Sequence, residues 1–398
     1  MKRLLLISEH FEPSNGATAQ LMTDLAVGLH RRGWPITVLT ATTGTHLDFP
    51  VVRLNGPDGP RNLMKPGMIN KALKGIRFLL GSLLWCLCRG RRGDVVLLVS
   101  NPPFIGVLGP LLQLCRGMPY VFVFQDLFPR SAILSGMLPA TGPLALLSKG
   151  LMTEVCSRSH RTVVLSQSME ERLQKDVGQR LPLTVIHNWA VERGAPIQRE
   201  QSDFAAEHGY AHLFSVQYSG NFGRLHDLLT LLEAARLLAK EPIQFVFIGG
   251  GAKQSQIEAY RVNFGLSRVL QLPYQPRHRL PYSLAACDMA AIGLIPGAED
   301  TVAPSKFYGI LASSRPVLLI ARRSCDLAQL VLSAGCGLVV EPGEAAELAD
   351  LLLELSLQPD RVKSMGERSL FLYQNQFGAE RSLARYEAVL EELLLPRQ

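Results

Sequence analysis

The sequence predicts an α/β protein made of two domains, each a parallel β-sheet wrapped by helices. Short apolar runs alternate with helix-like segments through both halves of the chain. A polar, poorly patterned stretch at residues 191–212 interrupts this alternation, which then restarts. The length of 398 residues also favours two domains, because single cores usually stop growing beyond about 250–300 residues.

The first half opens with an apolar strand at residues 3–8 and an amphipathic helix at 20–31. Residues 94–100 enclose an unbroken apolar run, which is typical of a strand covered on both faces. The same patterns predict strands at 35–40, 51–54, 120–124, 161–165 and 183–186, and helices at 104–115, 143–157 and 168–175.

The second half repeats the alternation without a visible sequence repeat. We predict strands at 214–218, 243–248, 269–272, 289–295, 317–320 and 337–340, and helices at 228–239, 253–264, 279–286, 306–313, 326–334 and 345–357. The predicted domains are therefore 1–190 and 213–375, with a linker at 191–212 and a final helix within 376–398 that returns to the first domain. Ligands of such sheets bind in a cleft outside the carboxyl ends of the strands.

Cysteine usage and hydropathy indicate the compartment. The seven cysteines are scattered without C-x-x-C spacing, which favours a reducing cytosol over a disulfide framework or a structural zinc site. The first apolar run is better explained as a buried strand than as a signal peptide. No apolar run approaches the roughly 20 residues needed to span a bilayer.

A lysine at a predicted helix start is the strongest chemical signal in the chain. Ser305 is placed to cap the helix that Lys306 begins. The unpaired N–H groups and the positive dipole end of such a helix bind phosphate, and a lysine strengthens this. The sequence therefore predicts a phosphate or diphosphate site.

Glycine-rich loops follow two predicted strands of the second domain. Residues 219–227 contain two glycines, Arg224 and His226, and Arg224 suits a diphosphate because its planar fork binds two oxygens. A lone histidine is more often structural. Residues 248–252 include three consecutive glycines in what we predict to be a strand-to-helix turn that suits an approaching ribose or phosphate.

Other loops offer weaker signals. Residues 13–18 contain a glycine and lead into the first helix. They are equally typical of a loop that binds a phosphate or an acceptor and of a plain strand-to-helix turn. Tyr274 lies in a loop whose backbone groups suit a base edge. The carboxylates of Glu299 and Asp300 suit sugar hydroxyls, or belong to an ordinary acidic loop.

Four motifs in register resemble family 4 glycosyltransferases of the GT-B fold, in particular the bacterial enzymes of capsule, O-antigen and colanic-acid assembly. They are E-P-S-N-G-A at 12–17, D-L-F-P at 126–129, S-G-N-F-G-R at 219–224 and P-S-K-F-Y-G at 304–309. The resemblance covers nearly the whole chain. It implies two Rossmann-like, doubly wound domains facing a central cleft, and a retaining, nucleotide-sugar-dependent reaction.

The resemblance also implies roles for individual residues. Arg224 and Lys306 would hold the donor diphosphate, and Asp126 would lie near the sugar and the acceptor; on residue chemistry alone, Asp126 is equally typical of a helix cap. Asn15 and Gly16 would form an acceptor-side loop. The remaining nucleotide-sugar contacts would come from Gly220, Asn221, Gly223, His226, Gly250, Gly251, Tyr274, Glu299, Asp300 and Ser305.

The chain departs from the broad family at the ribose site. Two glutamates eight residues apart are usual in this region, the second commonly contacting the donor ribose. Thr301 and Gly309 occupy these positions, although Glu299 and Asp300 lie close to the first. How the ribose is bound therefore stays open.

Charge is concentrated in the first half of the chain. Residues 1–190 hold 21 Lys and Arg against 11 Asp and Glu, a net +10. Residues 61–92 carry eight of these cations and no acid, around the apolar run 78–88. This pattern favours a helix that lies on an anionic membrane surface over a purely buried helix. Aromatics do not interleave with the cations, which argues against nucleic acid as a partner.

Together these features predict a retaining glycosyltransferase that moves a hexosyl or N-acetylhexosaminyl group from a nucleoside-diphosphate sugar to a lipid-linked or glycan acceptor. We expect a cytoplasmic enzyme, peripheral on the inner face of the plasma membrane. We expect no cofactor and no metal, because no Asp-x-Asp motif is present. Two alternatives are a nucleotide-sugar epimerase on the same scaffold and a non-catalytic nucleotide-sugar-binding assembly partner.

Overall fold

A computed structural model describes residues 2–14, 16–42, 44, 47–54, 68–178, 180–191 and 196–393, with the backbone alone at 68, 69 and 71. The chain forms two compact units. The first comprises Met1–Val191, Thr301–Ala303 and Ala379–Gln398, and the second comprises Glu192–Asp300 and Pro304–Gly378.

The first unit is built on a seven-stranded parallel sheet with the order β3-β2-β1-β4-β5-β6-β7. Its strands are β1 Leu4–Ile7, β2 Ile36–Thr40, β3 Val51–Arg53, β4 Val95–Val99, β5 Tyr120–Val123, β6 Arg161–Val164 and β7 Leu183–Val185. Its helices are α1 Ala17–Arg31, α2 Met68–Arg89, α3 Leu108–Arg116, α4 Arg130–Leu134, α5 Pro143–Arg158 and α6 Gln167–Val177. All residues of β4 are buried, as expected for a central strand.

Two apolar layers cover the two faces of this sheet. One layer includes α2, α3, α5 and α6, which bury residues such as Phe78, Leu112 and Met152. The other layer includes α1 and the C-terminal helix, Ala379–Glu392, whose Tyr386 and Leu390 pack beside the α1 leucines. The last helix of the chain is thus part of the core of the first unit.

The second unit is built on a six-stranded parallel sheet with the order β10-β9-β8-β11-β12-β13. Its strands are β8 Phe214–Asn221, β9 Ile243–Gly250, β10 Val269–Leu272, β11 Met289–Gly293, β12 Val317–Ile320 and β13 Gly337–Val340. Its helices are α7 Phe204–Glu207, α8 Leu229–Leu237, α9 Gln254–Asn263, α10 Leu280–Ala285, α11 Lys306–Ala312, α12 Asp326–Ala334, α13 Ala345–Ser356 and α14 Pro359–Leu372, and the C-terminal helix of the first unit is α15.

The two parallel sheets confirm the predicted fold class, but several elements differ from the sequence-based expectation. Strand β8 runs to Asn221 and β9 to Gly250, so the glycines expected in turns lie partly within paired strands. The expected linker contains a 3-10 turn, Arg199–Gln201, and helix α7, whose Phe204 packs in a core cluster of the second unit. Helix α14 was not predicted from the sequence.

In each sheet the strand order reverses beside the first strand, where β1 lies between β2 and β4, and β8 between β9 and β11. Ligands of open α/β sheets bind beyond the carboxyl ends of the strands at such a point. No helix in the described part of the chain is both long and apolar enough to cross a membrane.

The C-terminal helix should contribute measurably to stability. We expect Leu390→Ala to lower the free energy of unfolding by about 2–5 kcal/mol, because the fully buried side chain leaves a cavity against α1 and the sheet. Leu114→Ala in α3 serves as the control, since Leu114 is 79% exposed. Urea denaturation of both variants tests this; equal effects would contradict the assigned packing of α15.

Candidate active site

The carboxyl ends of β8 and β9 approach each other so closely that they require glycine. A Cβ atom on Gly249 would lie 2.0 Å from the carbonyl oxygen of Gly220, and Gly249 has a φ of 138°. Gly251 has a φ of 150°, and a Cβ there would lie 2.6 Å from Oδ1 of Asn221. Gly249 is therefore required by the strand pairing, and Gly251 by the close approach of Asn221 and Phe222 just beyond it, whether or not a ligand also approaches them.

Lys306, the first residue of α11, points its ammonium at the end of β8. Its Nζ lies 3.5 Å from the centroid of the Tyr218 ring. That nitrogen is buried and has no hydrogen-bond partner in the described part of the chain. A Cβ on Gly220 would lie 3.8 Å from the same nitrogen. Burial lowers the pKa of Lys306 well below its usual range.

The predicted cap at Ser305 is wrong. The Ser305 side chain makes no capping hydrogen bond, because its backbone already has helical angles (φ −57°, ψ −27°). Helix α11 is also only seven residues long. The cationic character of this place therefore depends on the Lys306 side chain rather than on a capped helix start.

Tyr218 and His226 form a hydrogen-bonded pair beneath this cation. The Tyr218 hydroxyl lies 2.8 Å from Nδ1 of His226, and the same nitrogen is 2.8 Å from the Asn221 carbonyl oxygen and 3.2 Å from the Gly223 backbone nitrogen. Burial, and then the charge of Lys306, lower the pKa of His226 to about 3. The imidazole is therefore neutral at physiological pH.

The loop that carries Arg224 is fixed by backbone contacts on both sides. Lys253 donates a 2.6 Å hydrogen bond to the carbonyl oxygen of His226, and the backbone nitrogen of Ile295 donates to the carbonyl oxygen of Leu225 at 3.0 Å. The Arg224 side chain itself is exposed. A rigid loop thus presents a solvent-accessible guanidinium near the end of β8.

Two further contacts shape the edge of this group. The hydroxyl of Tyr274 donates a 3.1 Å hydrogen bond to the carbonyl oxygen of Gly250, while the residue stays 60% exposed. Asp227 is buried and accepts from the Thr230 backbone nitrogen at 3.1 Å and its hydroxyl at 2.7 Å. An accessible aromatic ring and a satisfied carboxylate therefore flank the cations.

Glu299 is already fully hydrogen-bonded. One carboxylate oxygen accepts from the Gly297 backbone nitrogen at 2.7 Å and from Arg322 at 3.1 Å, and the other accepts twice from Arg322 at 3.1 Å. Its side chain is 1% exposed. Glu299 would have to exchange one of these bonds to contact a sugar, whereas Asp300 is only half-buried.

The first unit carries the other predicted residues. Asp126 forms an antiparallel bridge with Val302, and Arg130 donates a 2.9 Å hydrogen bond to the Thr301 hydroxyl. Partial desolvation by the surrounding protein raises the pKa of the Asp126 carboxyl to about 6, although the residue as a whole is exposed. Asp126 is therefore mostly ionised at neutral pH. Gly16 immediately precedes α1 and is exposed, and Asn15 lies outside the described residues.

The structure thus brings most predicted residues of the second unit together around the ends of β8 and β9. It adds two residues that sequence reasoning missed, Tyr218 and Lys253. The sequence pattern places Tyr218 only in a strand, although its position directly before the glycine loop is a signal that could mark it as a site residue. Lys253 follows the second glycine run and begins the helix predicted at 253–264, so the sequence gives no sign that its ammonium holds the Arg224 loop.

Comparison with known proteins agrees with this architecture. Residues 16–189 match the family described as Glycosyl transferase 4-like domain. Residues 212–370 match the family described as Glycosyl transferases group 1. The matched segments correspond to most of the first and second units, respectively.

Individual relatives match all or part of the chain. A Pseudomonas aeruginosa protein, "Probable glycosyltransferase WbjE", is 26% identical over 99% of both chains. WcaI of Escherichia coli (strain K12), named for colanic acid biosynthesis glycosyl transfer, is 30% identical over 39% of each chain. The crystal structure of Anabaena Alr3699/HepE in complex with UDP-glucose is similar in fold, with a TM-score of 0.74 and 16% identity over 98% of this chain and all of that one.

One assignment follows from the cations at the end of β8, the two parallel sheets and the two family matches. The chain belongs to the GT4-like glycosyltransferases, GT-B enzymes in which a Glycosyl transferase 4-like domain precedes a group 1 glycosyltransferase domain.

Proposed function

We propose that this enzyme is a retaining glycosyltransferase of bacterial cell-surface polysaccharide biosynthesis. It would transfer a hexosyl or N-acetylhexosaminyl group from a nucleoside-diphosphate sugar to a lipid-linked or glycan acceptor. The observation that carries the proposal is the Lys306 ammonium, buried without a hydrogen-bond partner in the described part of the chain. The UDP-glucose bound in the HepE structure and the name of WcaI support the donor and the pathway class.

A buried ammonium without a hydrogen-bond partner is costly for the protein alone, and a bound anion would offset that cost. Removing a charge from water without a compensating partner is strongly unfavourable. A diphosphate restores that partner with charge-assisted hydrogen bonds, and the exposed Arg224 can add two more. Both cations would stabilise the charge that develops on the leaving diphosphate as the bond to C1 breaks.

The proposed reaction needs no protein nucleophile. The C1–O bond to the diphosphate breaks while the acceptor oxygen bonds to C1 on the same face. The acceptor proton passes to an oxygen of the departing diphosphate, so atoms and charge balance. In this scheme Asp126 acts near the sugar and acceptor, where its carboxylate favours positive charge developing on the sugar ring.

The other predicted residues keep their roles as proposals. Gly220, Asn221 and Gly223 would admit the phosphates to the backbone. Tyr274 offers an exposed ring edge to the nucleoside. His226, Gly250, Gly251, Asp300 and Ser305 complete the proposed nucleotide-sugar contacts, and Glu299 would join them only by giving up a bond to Arg322 or Gly297.

We also propose that no divalent metal is required, because Lys306 and Arg224 supply the positive charge. Among the described residues, no group of three or more His, Cys, Asp and Glu side chains is placed to hold a metal ion. Full turnover in excess EDTA would agree with this; restoration by Mg²⁺ or Mn²⁺ after loss in EDTA would contradict it.

The membrane contact proposed for residues 61–92 is supported by the outward face of α2. Residues 61–67 lie outside the described part, but the helix presents a stripe of apolar side chains, each 37–64% exposed: Leu73, Ile76, Leu80, Leu84 and Leu87. Their spacing of three and four places them on one helical face. Exposed cations lie on the same helix at Lys74, Arg77 and Arg89.

Neighbouring helices extend this apolar surface. Helix α2 packs on α3, and α3 packs on α5, within one layer over the sheet. Leu114 of α3 and Leu146 of α5 are 79% and 70% exposed. Exposed apolar side chains accompanied by cations on α2 match the chemistry of an anionic bilayer surface. We therefore propose peripheral attachment to the inner face of the plasma membrane, where lipid-linked acceptors lie.

Replacing the buried cation should separate activity from stability. We expect Lys306→Met to reduce nucleoside-diphosphate release from the donor by at least about 100-fold, because a charge-stabilising group is lost. The same change should raise the free energy of unfolding by about 1–3 kcal/mol, because an unpartnered buried charge is removed. Lys240→Met at an exposed position is the matched control and should alter neither quantity. Near-normal turnover of Lys306→Met would overturn the proposed function.

The stereochemistry of the product tests the retaining assignment. With the donor that supports turnover and membrane extract as the acceptor source, NMR should show that the new glycosidic bond has the anomeric configuration of the donor. An inverted bond would contradict the same-face reaction. Conversion of donor to an epimer without acceptor would instead identify an epimerase.

Vesicle binding tests the membrane surface. We expect the double variant Leu80→Ser, Leu84→Ser to weaken co-sedimentation with phosphatidylglycerol-containing vesicles by about tenfold or more, since each leucine contributes roughly 1.5–3 kcal/mol when buried. Leu357→Ser is the control, because Leu357 is 78% exposed on the second unit. Equal binding of all three proteins, or equal binding to purely zwitterionic vesicles, would contradict the proposal.

A further inference from the structure

The Lys306 ammonium rests on an aromatic ring where a carboxylate would be the usual partner of a buried lysine. Its Nζ is 3.5 Å from the centroid of the Tyr218 ring, well inside the range of a cation–π interaction. Burial lowers the pKa of this lysine, and no hydrogen bond to a carboxylate offsets that effect among the described residues. In the donor-free protein, the ring is therefore its one evident electrostatic support among the described residues.

Tyr218 is itself held rigidly. Its side chain is buried, and its ring stacks on Phe247 at 6.3 Å between centroids and tilts against Phe222 at 5.9 Å. Its hydroxyl is fixed at 2.8 Å from Nδ1 of His226. Because the ring cannot rotate freely between these contacts, the face that it offers to Lys306 is constant.

The titratable groups around Lys306 and Tyr218 do little to stabilise the positive charge of Lys306. His226 is neutral, and Lys253 bonds to the His226 carbonyl oxygen. Asp227 faces Tyr218 and Lys253, but both of its carboxylate oxygens accept from Thr230. Tyr274 also faces Tyr218 and bonds to the Gly250 carbonyl oxygen. The ring of Tyr218 therefore has a role that its neighbours do not share.

We propose that Tyr218 is a positioning residue for the donor-binding cation, its ring holding the Lys306 ammonium at the end of β8 until a diphosphate arrives. The inference rests on the proposed function, in which Lys306 binds the donor diphosphate. Without the ring, the lysine would have no attractive contact to offset its burial, and both its position and its charge would be less well defined.

The proposal has a defined pH signature. Burial favours the neutral amine and lowers the pKa of Lys306, whereas a cation–π contact favours the charged form and raises it. Diphosphate affinity should fall as the pH rises through the pKa of Lys306, because the neutral amine binds an anion poorly. Loss of the ring should move the midpoint of that fall to lower pH.

Three variants test this. Tyr218→Phe keeps the ring and Tyr218→Leu removes it. Phe245→Leu is the control: it removes a buried ring of the same core whose β8 partner is Val216 rather than Tyr218. Calorimetry measures the affinity of each protein for inorganic pyrophosphate, UDP, GDP and ADP from pH 6 to pH 10. Thermal melting measures the stability of each variant.

We expect Tyr218→Leu to weaken diphosphate binding about tenfold at pH 8 and to shift the midpoint by roughly half to one pH unit to lower pH. Tyr218→Phe should retain the wild-type midpoint. Phe245→Leu should lower the melting temperature without moving the midpoint, which is the result expected of a residue whose role is only structural. An unchanged midpoint in Tyr218→Leu would overturn this inference while leaving the proposed function intact, whereas failure of the wild-type protein to bind any diphosphate would overturn the proposed function.

Discussion

The second unit depends on the close parallel pairing of β8 with β9 through to their carboxyl ends. The register continues from Phe214 and Ile243 to Asn221 and Gly250. Only a residue without Cβ fits at Gly249, because the Gly220 carbonyl oxygen occupies that space. This pairing brings the Tyr218 ring, the Arg224 loop and Lys253 to one place, so the chemistry of the site follows from a backbone constraint.

Hydrogen-bond partners distinguish the charged side chains that stabilise the fold from the one that is available to a ligand. Glu299 accepts four hydrogen bonds, three of them from Arg322, and Asp227 binds both groups of Thr230. The Lys306 ammonium, by contrast, is buried and has no hydrogen-bond partner among the described residues. Because an unsatisfied buried charge lowers stability, its persistence supports our proposal that an anion, the donor diphosphate, binds there.

Much of the fold, and the cations of the site, could be predicted from the sequence, because both depend on local patterns. Apolar runs predict the strands, a lysine at a predicted helix start indicates Lys306, and an arginine in a glycine loop indicates Arg224. Contacts between residues distant in the sequence could not be predicted. Arg322 reaches Glu299 across 23 positions, and Arg130 reaches Thr301 across 171. The failed cap at Ser305 has a local cause, since its helical backbone angles turn the hydroxyl away from the role that its residue type suggested.

The departure from the broad family at Gly309 acquires a physical meaning from these contacts. A glycine there removes one carboxylate, and the nearby Glu299 is bonded to Arg322 and to the backbone. The protein thus offers cations to the phosphates, while the carboxylate nearest the usual ribose position is already engaged. In the proposed function, electrostatic recognition of the donor would therefore concentrate on the diphosphate, and the nucleoside would rely on backbone groups, the exposed Tyr274 ring and Asp300. If Tyr218 positions the Lys306 ammonium as proposed, that single contact should govern donor binding more strongly here than it would in a site with a ribose-binding acid.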